Sequence, residues 1–371
     1  MAGNRFILGF ILSLALVVFS WPGARQAQAS CGAVSCFVVI GSQQQVPSAG
    51  LLTVNAIYNY TPMRLLDGTN GVIPGLDQGS RQMILNHHQE VRTITQQATL
   101  DLNYGLTERF GLQLTLPYVW RTHKHIDGLG ADGATGEGAA TNFSANGAGD
   151  MRVGLKYNML PTLRSMVVLG FDVYLPSGNT HAQDNVGSLM ESTSQIGRGA
   201  VGLNPTIYQT YEVIPHRLNQ FSSASYRHTF RNNDGYQFGD QWDFNAGVNL
   251  VTVPWLVLSS QFNYRYMVHD NFSSSLLASL TPADAGFPGE PAVIDPTIQN
   301  RAVPTTGSTF LAFSPGLSLS LDGMIDSPWT RMTSVYFHAQ IPVARDSNNS
   351  LAQGTSYVFG LSRSFQMLDP L

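Results

Sequence analysis

The chain has 371 residues, of which 12% are charged and 10% aromatic, with 36 glycines. Soluble domains carry about 25% charged residues, and disorder needs low hydrophobicity with high net charge, so neither an ordinary soluble domain nor an unfolded chain fits. A helical membrane protein is excluded too, because the one long apolar stretch, Phe6 to Trp21, falls short of the roughly 20 residues that a spanning helix needs.

What remains is a chain rich in glycine and aromatics and poor in charge. A membrane β-barrel has this composition, because its lipid-facing and lumen-facing residues alternate and cancel in any windowed average.

Residues 1–29 read as a secretory signal, with Arg5 as the positive region, Phe6 to Phe19 as the apolar core and Ala27-Gln28-Ala29 as the small-x-small cleavage site. Without them the chain counts 18 basic against 24 acidic residues, a net of -6, and no basic patch that would mark a nucleic-acid partner. Residues 30–50 are expected to form a periplasmic segment and residues 51–371 the barrel. Cys31 and Cys36 are the only cysteines. In an oxidising compartment they are candidates for a local disulfide, with lipid attachment at Cys31 as the rival. Phe37 follows Cys36 where a haem-attachment motif has histidine, and two cysteines alone make a poor zinc site.

Beyond residue 50 the sequence alternates with period 2. Gln96 to Tyr104 is one clear stretch; after Gly105-Leu106-Thr107-Glu108-Arg109 come Phe110, Leu112, Leu114, Leu116, Tyr118 and Trp120 on one face, with Gln113, Thr115 and Arg121 on the other. Strands are expected near 51–60, 88–104, 110–125, 148–160, 165–176, 200–214, 218–231, 237–252, 256–269, 306–322, 331–343 and 354–365. An even number of strands suits a transmembrane, up-and-down antiparallel barrel of about twelve strands. Connections mostly alternate between short and long. Short turns face the periplasm and long loops the outside in such barrels, which places both termini on the periplasmic side. A secreted sandwich would alternate as well, but its polar faces carry many charges, whereas these are mainly Thr, Ser, Asn, Gln and Gly.

Parity directs Asp101, Arg121, Asp150, Arg152, Lys156, Asp172, Asp243, Arg265 and Asp322 inward. Opposed arginines and aspartates can simply pair and fill a narrow interior. They can equally form a selectivity ladder along a water-filled path. At the loop end, His87 and His88 open the second strand while His123 and His125 close the third. Pairing about Thr107 places His88 near Ile126 and Glu90 near Lys124, with His87, His123 and His125 inward. Imidazoles two residues apart on one strand can share a metal, and His269 is a further candidate. The other reading is polar decoration where a strand leaves the membrane. A bound metal would require neutral imidazoles.

Gly147-Ala148-Gly149-Asp150, then Lys156-Tyr157, then Leu175-Pro176-Ser177-Gly178-Asn179 resemble the strand motifs of the outer-membrane barrel family named after the meta-pathway of phenol degradation. Tyr104 to Leu112 and Leu116-Pro117-Tyr118 are similar to that family's strand-turn-strand pattern. The clear motifs span roughly residues 90–180. The resemblance implies a porin-like transporter of about twelve strands in the outer membrane, with no catalytic residues and no cofactor.

The expected function is passage of small solutes across the outer membrane, including aromatic or apolar compounds, with membrane lipid and the barrel-assembly machinery as partners. The last strand, Tyr357, Phe359, Leu361 and then Phe365, is similar to the signal that machinery reads. A metal- or ligand-binding barrel and a structural scaffold are the alternatives. An enzyme is disfavoured, because the His-x-Ser-Asn-Gly string of barrel phospholipases does not occur. Connection 270–305, with five prolines, is a candidate plug.

Overall fold

The computed structural model describes residues 37–77, 82–126, 140–162, 164–183, 190, 192–272, 277–279, 303 and 305–368. The described residues hold one short helix, α1 (Gly41–Gln44), and strands β1 (Leu51–Arg64), β2 (Val72–Asp77), β3 (Gln82–Gly105), β4 (Phe110–Ile126), β5 (Ala140–Ala148), β6 (Arg152–Asn158), β7 (Ser165–Tyr174), β8 (Gly202–Ile214) and β9 (Leu218–Thr229). The remainder are β10 (Tyr236–Gln237), β11 (Gln241–Val253), β12 (Leu256–Met267), β13 (Asn271–Phe272), β14 (Leu277–Ser279), β15 (Ser308–Ser320), β16 (Thr333–Asp346), β17 (Ala352–Gln353) and β18 (Ser356–Gln366).

The long strands close on themselves. β1 pairs with β3 on one side and β18 on the other, and the antiparallel order continues through β16, β15, β12, β11, β9, β8, β7, β6 and β4 back to β3. Taking β5 and β6 as two halves of one strand gives a closed barrel of twelve. β4 pairs with β6 near the short-turn end (Phe110↔Tyr157) and with β5 near the loop end (Tyr118↔Ala148). The break between them falls at Gly149-Asp150-Met151. The expected strands match in place, except that β5 lies in a Gly/Ala/Asn stretch read as loop, and β2 and the short β13, β14 and β17 fall within expected connections.

Alternation supplies the two surfaces. Outward apolar side chains such as Leu100, Leu112, Phe262 and Phe359 are 40–54% exposed, as a lipid-facing belt requires. Rings gather towards its edges: Trp242 lies 5.0 Å from Tyr226 and 5.8 Å from Tyr266, and Phe110 lies 4.9 Å from Tyr157. Inward positions are polar and buried, among them Asn55, Thr99, Asp101, Asn103, Gln261 and Asn263.

The interior is not empty. Residues 37–47, expected outside the barrel, run inside it from the short-turn end. Val39 and Val46 pack with Val168, Tyr208 and Phe221, while Ile40 packs with Ile57, Tyr336 and Val358. The segment enters across Gly105, where a Cβ would collide with the backbone oxygens of Pro47 and Ser48. The Gly50 amide then donates to the Gly105 carbonyl at 2.9 Å, joining the segment to the barrel rim.

Candidate functional site

The N-terminal segment forms a floor within the barrel, held by polar groups that parity aims inward. Val39 N donates to Gln261 Oε1 at 3.0 Å and Gln261 Nε2 donates back to the Val39 carbonyl at 3.2 Å. Lys156 Nζ donates to the Gln43 carbonyl and, at 2.7 Å, to Asn103 Oδ1. Ser42 Oγ donates to Asn55 Oδ1 at 2.9 Å. The Arg265 guanidinium stacks 3.8 Å from the centre of the Phe37 ring.

A second inward element comes from the connection between β7 and β8. Its two legs cross where Gly178 meets Gly197, so closely that neither position accommodates a Cβ. Asp150, at the break between β5 and β6, ties both legs down: Oδ1 accepts from Gly178 N at 3.0 Å and Oδ2 from Arg198 N at 2.8 Å. Ser177 Oγ accepts from Met151 N at 2.8 Å and Leu175 N donates to the Met151 carbonyl at 2.8 Å. Residues 192–196 are thereby folded inward and buried. Arg121 Nη1 grips the turn, 2.9 Å from the Ser194 carbonyl and 2.6 Å from that of Gln195.

Between floor and loop lies a cavity of about 350 Å³, within the usual range of roughly 300–1,000 Å³ for small-molecule sites. Its ionic lining comprises Arg121, Arg152, Lys156, Arg198, Arg227 and Arg265 against Asp150, Asp172 and Asp243. The carboxylates are satisfied locally. Asp172 Oδ2 is 3.4 Å from Arg152 Nη1 and accepts from Asn204 at 2.9 Å; Asp243 pairs with Arg265 Nε at 2.9 Å and accepts from Gln241 at 2.6 Å.

Carbonyls hold Arg121, and an amide and a carbonyl hold Lys156. Arg198 Nη1 donates to Thr229 Oγ1 at 3.0 Å and its guanidinium lies 4.8 Å from the Phe238 ring centre. Arg227 lies 3.7 Å from the centre of the Tyr174 ring. Burial, then the neighbouring Arg227, pushes Arg198 down to about 9, which leaves it charged at neutral pH. The positive charges therefore outnumber the negative ones in a space that the rings of Phe37, Tyr174 and Phe238 help to line.

The residues expected in the lumen divide into three sets. Arg121, Asp150, Arg152, Lys156, Asp172, Asp243 and Arg265 line this cavity. Asp101 is fully buried beside it, accepting from Asn55 at 3.0 Å, Asn103 at 2.6 Å, Gln113 at 2.5 Å and Thr115 at 2.8 Å, with Arg152 Nη2 at 3.8 Å. Asp322 is elsewhere. It lies exposed just beyond β15, its carboxyl held below the usual range chiefly by the Ser320 hydroxyl. The strand ends at Ser320, so parity carried two residues further has no meaning there.

Arg198 and Arg227 were missed. Arg198 belongs to a loop without periodicity, whereas Arg227 follows the inward Phe221, Ser223 and Ser225, and strict parity finds it.

At the loop end, His88, His123 and His125 come together, each offering a ring nitrogen within 4.8 Å of the others. The register differs from expectation: Glu90 lies opposite His125, Arg92 opposite Lys124, and a bulge falls between Glu90 and Arg92. That extra residue flips the parity, so His88 and Glu90 face inward where His87 was expected. The His87 side chain and His269's supposed neighbourhood with the cluster fare differently. His87's side chain lies outside the described residues, as do Cys31, Cys36 and the signal segment, and His269 Nδ1 instead lies 3.1 Å from the Val303 carbonyl. Most of connection 270–305, the expected plug, also lies outside the described residues.

No curated protein matches the sequence. Among solved structures, an outer membrane channel from Pseudomonas putida F1 superposes with a TM-score of 0.53 at 11% identity, covering 89% of this chain and 100% of that one. The NanC porin gives 0.39 at 10% identity over 84% and 98% of the two chains, and a Pseudomonas aeruginosa FadL homologue 0.36 at 12% over 86% and 90%. At 11% identity the likeness to the Pseudomonas putida channel is one of fold. The family described as "Putative MetA-pathway of phenol degradation" matches residues 67–268, more than half of the sequence, and the chain belongs to that family of outer-membrane barrels.

Proposed function

We propose that the barrel is a channel for small organic anions, ring-bearing carboxylates foremost, and that the basic cavity selects them. The carrying observation is the charge of the lining: six cations face three aspartates in a chain whose overall balance is acidic. Groups lining a narrow path decide which ions enter it. The aspartates are neutralised by their own arginines or tied to backbone amides, whereas Arg121, Lys156, Arg198 and Arg227 bond to carbonyls, amides, hydroxyls and ring faces. Those partners fix the cations in place, while acids just outside the cavity, Glu90 towards Arg121, Asp101 towards Lys156 and Asp270 towards Arg198, offset part of their charge. Tyr174, Phe238 and Phe37 line the same space, and an aromatic carboxylate would find a planar face and a cation together.

In this reading the short-turn end faces the periplasm and the loop end the outside. The loop tied by Asp150 and Arg121 narrows the outer approach, and residues 37–47 form a gate at the periplasmic end. Asp101 serves as scaffolding: its four donors fill a carboxylate's accepting capacity, and it orients Asn103 towards Lys156.

The test is flux through proteoliposomes holding the purified barrel. Benzoate should enter faster than benzylamine, which matches it in size and is a cation at neutral pH. Equal rates, or a faster amine, would remove the basis for the reading.

A further inference from the structure

We propose that His88, His123 and His125, together with Glu90, form a binding site for one divalent transition-metal ion of the zinc type at the loop end of the barrel. This proposal is independent of the channel reading, since it draws on a different set of residues.

The ligands come from two paired strands. His123 and His125 are alternate residues of β4, and His88 and Glu90 are alternate residues of β3 beyond the bulge. Bulges re-aim side chains and occur beside functional sites. Without this one, His88 and Glu90 would point towards lipid and the cluster would not exist. Three imidazoles and a carboxylate are instead buried together, at 0% exposure for His88 and Glu90, 2% for His123 and 4% for His125. Burying a carboxylate is costly unless it is well paired. Glu90 lies 3.3 Å from His88 Nε2 and 3.5 Å from His123 Nδ1, and among the described residues Oε2 has no hydrogen-bond donor.

The spacing suits one ion. Zinc–nitrogen bonds of about 2.0–2.1 Å put tetrahedral ligand nitrogens roughly 3.3 Å apart, so nitrogens within 4.8 Å need side-chain rotations on the order of 1 Å to close. The rings already lie close, with centroids 4.7 Å apart for His88 and His125 and 5.1 Å for His123 and His125. Thr93 Oγ1 is 2.8 Å from His123 Nδ1, and an oxygen on the second nitrogen fixes the ring orientation of a ligating imidazole. An imidazole-rich set with one carboxylate favours zinc, copper or nickel over calcium or magnesium. Arg121, which grips the inward loop, lies two residues from His123 on the same face of β4. A bound ion would therefore clasp β3 to β4 beside the loop's anchor.

The experiment is a zinc titration of the tag-free mature chain in detergent against a chromophoric chelator. One zinc per chain is expected. His123→Asn, His125→Asn and Glu90→Gln each remove a ligand and should each weaken binding at least ~100-fold, the upper end of the cost of disturbing a metal site's outer shell. His216→Asn, in an exposed turn, should leave it unchanged. A stoichiometry below one, or wild-type affinity in a folded His123→Asn barrel, overturns the proposal. Should the variants fail to fold, X-ray absorption at the zinc edge of the wild-type protein decides: three imidazoles are expected, and fewer than three overturns it.

Discussion

Val39 and Gln261 exchange two hydrogen bonds across 222 residues of sequence, so that one side-chain amide pairs with the N-terminal segment as a neighbouring strand would. Asn263 Nδ2 donates to Gln261 Oε1 at 2.9 Å and holds the amide in that orientation. Gln261 thus docks the segment to the wall together with Lys156 on Gln43, Asn55 on Ser42, Arg265 on Phe37 and the small apolar clusters around Val39, Ile40 and Val46.

Gln261→Leu removes both bonds. At about 0.5–1.5 kcal/mol each, their loss should shift the equilibrium between seated and displaced segment by roughly 5- to 100-fold, with about 1.4 kcal/mol per tenfold. Single-channel recordings should show longer high-conductance intervals than in the wild-type protein. Unchanged open time would mean that the Val39–Gln261 pair is not what keeps the segment seated.

Arg227→Gln leaves the Tyr174 ring but takes away the cation above it. An interaction of about 1.5–3 kcal/mol with a bound carboxylate is at stake, so half-block of the current by benzoate should require at least tenfold more ligand. Arg109, at the short-turn end, lies outside the cavity, and Arg109→Gln should leave the blocking concentration where it was.

Asp150→Ala releases two backbone amides, Gly178 N and Arg198 N, from one carboxylate. Hydrogen bonds to charged groups contribute about 1.5–3 kcal/mol each, so the inward loop should detach while the barrel stays closed. Limited proteolysis should then cut within connection 175–201, at a rate well above that of the wild-type protein, and the heat-modified gel shift of the barrel should persist. Resistance equal to wild type would show that the remaining ties, Arg121 on the turn, Met151 on Ser177 and Leu175, and Arg198 on Thr229, suffice to hold the loop.

Asp270 offers a pH signature at the loop end. Burial raises its pKa against the opposing effect of hydrogen bonds from Tyr236 Oη at 2.5 Å and Gly239 N at 2.7 Å. A carboxyl that is harder to ionise folded than unfolded binds more protons in the native state, so its contribution to stability falls as pH rises from the ordinary carboxylate value of about 3.9 through its own higher one. Denaturant midpoints should decline over that interval in the wild-type barrel. Asp270→Asn retains an acceptor for Gly239 and should flatten that decline; an unaltered slope would assign it to other groups.

The barrel itself was legible because strand alternation has a period of two and each face keeps one character over ten or more residues. Gly149-Asp150 and Leu175-Pro176-Ser177-Gly178 were legible only as motifs; the structure supplies their reason, since Asp150 and Ser177 lock the strand break to the inward loop. Three features escaped. The bulge before Arg92 adds one residue to β3 with no glycine or proline to announce it, and parity then assigns His87 inward instead of His88. Phe37-Val38-Val39-Ile40 is too short an apolar run to say where it packs. Arg198 sits in a loop, whose path through the lumen is set by tertiary anchors rather than by local pattern.

The central claim is that fixed cations in the cavity govern what passes. The zero-current potential of single channels in a planar bilayer, under a tenfold potassium chloride gradient, tests it most directly. A potential whose sign follows chloride is expected, and Arg121→Gln with Arg227→Gln should move it towards zero. A potential that follows potassium would contradict the account.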